Sequence, residues 1–115
     1  MNIFTFCKKD GTIKKNYIDV CEQITKAKIE HHEIMKGRSE NIVDEYDCYT
    51  TPRQSLPSKK RTRFEEKVRD VCKCFNVTIK SWYSCWDITI ELHGKNVEQM
   101  IEELSSILRG DINIR

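Results

Sequence analysis

Between residues 62 and 115 the apolar side chains change their spacing three times, and each change agrees with the residues that punctuate it. Thr62 and Glu65 match the S/T-x-x-E capping box, which satisfies orphan N–H groups at a helix start. Behind it Phe64, Val68, Val71, Cys72 and Phe75 fall on one helical stripe, with charged residues on the other faces. The spacing then drops to two. Val77 and Ile79 alternate with Thr78 and Lys80, and Trp86, Ile88, Ile90 and Leu92 alternate with Asp87, Thr89 and Glu91. A hairpin about Ser84-Cys85 pairs Tyr83 with Trp86, Ile79 with Ile90 and Val77 with Leu92 on one face. Trp82 then sits opposite Asp87, and Lys80 opposite Thr89, on the other. Ser-Cys lacks tight-turn chemistry, but a four-residue loop over 83–86 keeps the same facing.

Helical spacing returns at Asn96, an N-cap residue with Gln99 at N3, and carries Val97, Met100, Ile101, Leu104, Ile107 and Leu108 on one stripe. Arg109 suits the negative end of the helix dipole and Gly110 the left-handed C′ position. Ile112 and Ile114 then read as a terminal strand. Helix, strand, strand, helix, strand needs one earlier strand to become the split βαβ order, and residues 3–7 supply an apolar, aromatic candidate. The expected fold is therefore α+β and ferredoxin-like, an antiparallel sheet with helices on one face and an extra N-terminal helix. The glycine- and aromatic-bearing signature of RNA-recognition motifs is absent.

The N-terminal half is less regular. Asp10-Gly11 signals a small turn. Residues 16–36 read as a helix closed by Gly37, with Tyr17, Val20, Cys21, Ile24, Ala27, Ile34 and Met35 at helical spacing. Ile18 and Ile29 fall on another side of it, which predicts self-association through that second face. From residue 38 the periodicity fades into an acidic stretch followed by Thr-Thr-Pro-Arg-Gln-Ser-Leu-Pro, an extended loop. The expected organisation is a single domain over 1–115. Residues 1–37 form a strand and helix, 38–61 a long loop, and 62–115 a helix, hairpin, helix and strand.

At 115 residues, with 38% hydrophobic and 33% charged side chains, the chain has room for a modest core. A net charge of +2 makes no global case for nucleic-acid binding, so any such case is local. No run is apolar enough to span a membrane and no signal-peptide core follows Met1, which predicts a cytoplasmic protein with no membrane partner. The six cysteines, loosely spaced, read as free thiols, Cys72 as a small core residue. The preference for Lys over Arg, with abundant Ile and Asn, suits an AT-rich genome such as that of a low-GC bacterium or its phage.

Two surfaces stand out. Lys59, Lys60, Arg61 and Arg63, preceded by Arg53 and continued by Lys67, cluster cations that can neutralise phosphates, although Glu65, Glu66 and Asp70 interrupt them. Trp82 and Tyr83 lie near the hairpin tip with Trp86; Trp82 points to the open face as a stacking platform or interface anchor, while Trp86 is expected to cap the core. The run His31-His32-Glu33 lacks metal-site spacing, and Cys72-x-Cys74 is not a thioredoxin-type motif. Phosphate loops, nucleophile elbows and paired carboxylates in a defined setting are missing, so no catalytic residue, metal or cofactor is expected. The chain reads as a non-enzymatic binding protein that acts stoichiometrically on a protein or nucleoprotein partner, a small phage or mobile-element inhibitor of a host nucleoprotein machine. The alternatives are a DNA- or RNA-binding regulator using residues 59–73, and a small nuclease-like enzyme with dispersed residues.

Overall fold

A computed structural model describes residues 4–31 and 47–110. The order is α1 (Ile18–Thr25), β1 (Lys28–His31), β2 (Asp47–Thr50), β3 (Gln54–Ser55), α2 (Ser58–Lys73), β4 (Thr78–Ser84), β5 (Asp87–His93) and α3 (Val97–Leu108). The fold is α+β, with one antiparallel sheet and three helices. β5 is the hub. β4 lies along one side, and β2 and β3 follow one another along the other, with β1 outside β2. This strand order is not typical of a ferredoxin-like fold, and every pairing among the described residues is antiparallel.

The expected first strand does not form over the described residues 4–7. The Cys7 N–H donates to Phe4 O at 2.9 Å, closing a turn, and only one bridge, Cys7 to Ile13, follows it round the Asp10-Gly11 bend. The rings of Phe4 and Phe6 stack at 5.2 Å and Phe4 meets Phe75 at 5.0 Å, so this segment joins the core through its aromatics rather than through a ladder.

The helix expected over 16–36 is shorter, ending at Thr25 after a 3-10 turn at Lys15–Tyr17. Lys26 and Ala27 N–H groups bond three residues back, to Gln23 and Ile24 carbonyls, and the chain leaves as β1. Ile29 is therefore a strand residue, and the two-faced helix carrying both Ile18 and Ile29 does not exist. Pairing of β1 with β2 outweighs a helical stripe that has only Ala27 between Ile24 and Ile34, and Ile34, Met35 and Gly37 lie outside the described residues. The region expected as a loop over 38–61 holds β2, β3 and the first turn of α2. Thr51 lies between the two strands. Its N–H donates to Ile90 O at 2.9 Å, and its hydroxyl exchanges 3.3 Å bonds with the Ile90 main chain. A buried hydroxyl thus replaces a ladder position just before Pro52, which has no N–H to give.

Helix α2 starts at Ser58 after Pro57, one turn before the Thr62 capping box. Thr62 Oγ1 bonds back to Ser58 O at 3.2 Å, and Glu65 receives Arg69 at 2.7 Å and Ser81 at 2.8 Å. A good capping pattern inside a helix that Pro57 had already begun was simply put to other uses. At the other end Asn76 adopts φ 56°, a left-handed turn, and the Val77 N–H reaches back to Cys72 O at 3.0 Å. The expected left-handed Gly110 follows α3 with φ 84°. Asn96 flanks α3 as expected, but its amide donates to Phe75 O at 3.0 Å instead of capping its own helix. The terminal strand expected at Ile112 and Ile114 lies outside the described residues.

One core joins Tyr49, Ile79, Ile88, Ile90 and Leu92 from the inner face of the sheet to Val20, Cys21 and Ile24 of α1, Phe64, Val68, Val71 and Cys72 of α2, and Val97, Met100 and Leu104 of α3. Full burial of such a side chain contributes about 1.5–3 kcal/mol. The hairpin faces match the alternation, but the register differs by two residues. Tyr83 pairs with Ile88, Ser81 with Ile90, Ile79 with Leu92, Trp82 with Thr89 and Lys80 with Glu91. The turn is Cys85-Trp86, so Trp86 sits at the tip and does not cap the core.

Candidate functional site

The hairpin tip and the start of α2 are built as one unit. β3 pairs Gln54 and Ser55 with Ile88 and Asp87, and the Leu56 N–H then donates to Trp86 O at 2.7 Å. Pro57 turns the chain into α2 directly beside the tip. One turn in, Arg61 Nη1 donates to Ser84 O at 3.3 Å and to Cys85 O, and its guanidinium carbon lies 5.7 Å from the Tyr83 ring centroid. A planar cation thus fastens the turn carbonyls and supports the tyrosine. Arg53 pairs at 3.6 Å with Asp87, the cross-strand partner of Ser84.

Fastening the tip leaves its aromatics in water. Trp82, Tyr83 and Trp86 are 49%, 50% and 64% exposed. Trp82 stands on the outer face, as the alternation requires, and Tyr83 lies on the inner face beyond the core. Three large aromatics within five residues are thus exposed about one turn.

The expected basic residues come together only in part. Arg53 and Arg61 are engaged within the molecule. Lys59, Lys60, Arg63 and Lys67 make no ion pair among the described residues, and they spread around α2. At 100° per residue Lys60 and Lys67 share a flank, Lys59 and Arg63 face outward, and Arg61 turns to the hairpin. The first turn of α2 carries no acidic residue and no side-chain cap. Ile18 and Ile29 are 37% and 56% exposed, on α1 and β1 respectively.

A second constellation lies at the far end of β5, and the sequence reading missed it. Glu91 and His93, two apart on one strand, share the outer face, and the register sets Cys48 beside His93. His93 Nε2 is 2.7 Å from Glu91 Oε1 and 3.8 Å from Cys48 Sγ. Burial, with the Glu91 carboxylate beside it, pushes the Cys48 thiol up to about 11. Glu-x-His on a strand was visible, but nothing local tied it to a cysteine on another strand. His31 ends β1, while His32 and Glu33 lie outside the described residues. All six cysteines are free thiols. Cys21 and Cys72 are pushed up to about 12, burial being the main cause.

Comparison with protein-family models, with curated proteins and with solved structures returns no match. No helix among the described residues is long and apolar enough to cross a membrane.

Proposed function

We infer that the protein is a non-enzymatic binding protein that docks through the hairpin tip, stoichiometrically, on a protein or nucleoprotein partner in the cytoplasm. The observation that carries this reading is the exposure of Trp82, Tyr83 and Trp86 on a turn held by Arg61. Burying aromatic area on a preorganised support is how interface anchors gain most of their affinity, because little ordering cost remains at docking. Inhibition of a host nucleoprotein machine by a small phage or mobile-element protein fits the size and the AT-rich composition. Direct binding of DNA or RNA is the second reading. Its support is the uncapped first turn of α2, where Lys59 and Lys60 stand at the positive end of the helix dipole, a favourable place for phosphate. Self-association belongs to the proposal through the exposed Ile18 and Ile29. Among the described residues β1 pairs with β2 alone, so Ile29 lies on a sheet edge.

The test is capture of partners from nuclease-treated lysate of a low-GC bacterium by the full chain, beside binding of the purified protein to bare oligonucleotide across a salt series. Nuclease-resistant capture lost in Trp82→Ala and Trp86→Ala, and kept in a Lys59→Glu/Lys60→Glu double variant, supports the protein-docking reading. Tight binding to bare oligonucleotide that falls steeply with salt and disappears in the double variant overturns it in favour of the second, because phosphate contacts release counterions.

A further inference from the structure

The outer-face constellation of Cys48, Glu91 and His93 is unlike its surroundings. Cys48 has no exposed surface, yet it stands outside the contiguous core, on the face of the sheet away from the helices. The His93 and Glu91 side chains are only 18% and 12% exposed. One potential ligand atom from each of the three lies within 4.8 Å of the other two. A thiol, an imidazole and a carboxylate, three donors that ligate transition metals, thus converge at one point largely out of water.

Nucleophilic catalysis does not supply it. A Cys–His–acid relay needs the thiol at one ring nitrogen and the orienting carboxylate at the other. Here Cys48 and Glu91 both address Nε2. A simple His–Glu ion pair accounts for two members and leaves the thiol only as a weak donor beside them. A cation at the centre satisfies all three.

We propose that Cys48, Glu91 and His93 form a three-ligand site for a divalent transition-metal ion, with Zn2+ the best match to the donor set. Mixed sulfur, nitrogen and oxygen donors suit zinc-like ions and argue against Mg2+ or Ca2+, which take oxygen ligands. Zinc bond lengths of about 2.0–2.3 Å at tetrahedral angles put the sulfur about 3.6 Å from the nitrogen and the oxygen about 3.4 Å from it. The 3.8 Å sulfur–nitrogen separation already meets the first requirement. The Glu91 oxygen, now at 2.7 Å as a hydrogen-bond partner, retreats by less than an ångström when the metal replaces the shared proton. On binding, the Cys48 S–H bond breaks, the sulfur–metal bond forms and the proton leaves to solvent. Three protein ligands leave the fourth place of a tetrahedral zinc site to water or a further carboxylate, and Glu30, the cross-strand neighbour of Cys48, stands on the same face. The metal would tie β2 to β5 across the sheet.

Co2+ replaces Zn2+ as a coloured probe. Titration of the reduced, chelator-treated full chain is expected to give a near-ultraviolet thiolate-to-cobalt charge-transfer band and strong visible bands that saturate at one equivalent and vanish when Zn2+ is added. The Cys48→Ser protein loses the charge-transfer band, while Cys85→Ser, altering the exposed thiol at the hairpin turn, keeps it. Glu91→Gln preserves side-chain shape and keeps an oxygen that can accept from His93, so it is the gentler variant, and it weakens Co2+ binding by about tenfold or more. Absence of the band in the wild-type protein, its persistence in Cys48→Ser, or unchanged affinity in folded Glu91→Gln overturns the proposal.

Discussion

At the Asp87 end of β5 the conspicuous side chains are large, aromatic and half exposed, whereas at the His93 end they are compact, polar and buried. Both groups depend on the same strand, and the difference lies in what assembles them. The tip is a tight hairpin turn reinforced by its immediate neighbours, the short β3 and Leu56 before the helix and Arg61 in its first turn. The outer-face group needs β2 to arrive from elsewhere in the chain and to pair in a single register. A surface made for docking can tolerate small shifts of its anchors, because aromatic burial is not directional. A group that converges on one point cannot, because its atoms must meet within tenths of an ångström. The two ends should therefore respond differently to the same kind of damage.

The largest effect is expected where both ends lose their common support. Ile90→Asp puts an unpaired carboxylate at a fully buried inner-face position and costs about 3–5 kcal/mol, a large part of a small domain's stability. Thr89→Asp, one residue along on the outer face, costs under about 1 kcal/mol. Urea unfolding followed by circular dichroism measures both. Equal losses would mean that the two faces of β5 are not distinct.

Arg61→Ala should separate the ends. It removes charge-assisted bonds to the Ser84 and Cys85 carbonyls and the contact with Tyr83, at about 1–3 kcal/mol, and loosens the tip without moving Cys48, Glu91 or His93. Hydrogen exchange should speed up over residues 82–87 and stay unchanged at 47–50. Spread of the change into β2 would show that the ends are coupled. Arg61→Lys should recover only part of the loss, since an ammonium lacks the planar guanidinium that lies against the Tyr83 ring.

Raising the pH acts on the buried thiols of the core and the outer face. Cys21 and Cys72 are pushed up to about 12 and Cys48 to about 11, whereas an unfolded thiol ionises at about 8.5. Between these values the unfolded chain binds fewer protons than the folded one, so stability is fully present below about 8.5 and falls as pH rises toward the folded values. Thermal melts across that range should show the decline. At neutral pH a thiol reagent should modify exposed Cys85 well before Cys21, Cys48 or Cys72. Rapid modification of Cys48 would break the contrast between the ends.

The smallest effect on stability is expected at the tip itself. Trp86→Ala should change the unfolding free energy by within about 0.5 kcal/mol, because a side chain already 64% exposed has little burial to lose. A loss several times larger would make Trp86 a structural residue and remove it from the docking surface.

Much of this arrangement was legible in the order of residues, and the legible parts share a cause. The stripes of α2 and α3, the left-handed Gly110 and the division of β4 and β5 into an apolar and a polar face follow from periods of 3.6 and 2, which a single segment displays without help from the rest. Trp82 on the outer face follows from the same parity. The hairpin register does not, since a slip of two residues returns every side chain to its original face, and the apolar pattern cannot tell the two apart. Thr62 and Glu65 misled for a related reason: a capping box is a local option, and Pro57 had begun the helix a turn earlier. β1, β2 and β3 span four, four and two residues, too few to show alternation, and each forms because a partner strand supplies its missing hydrogen bonds. The meeting of Cys48 with Glu91 and His93 is the same kind of fact. It depends on which strand pairs with β5 and at which rung, a choice made by long-range ladder bonds and a shared core, and those energies belong to pairs of segments rather than to either one alone.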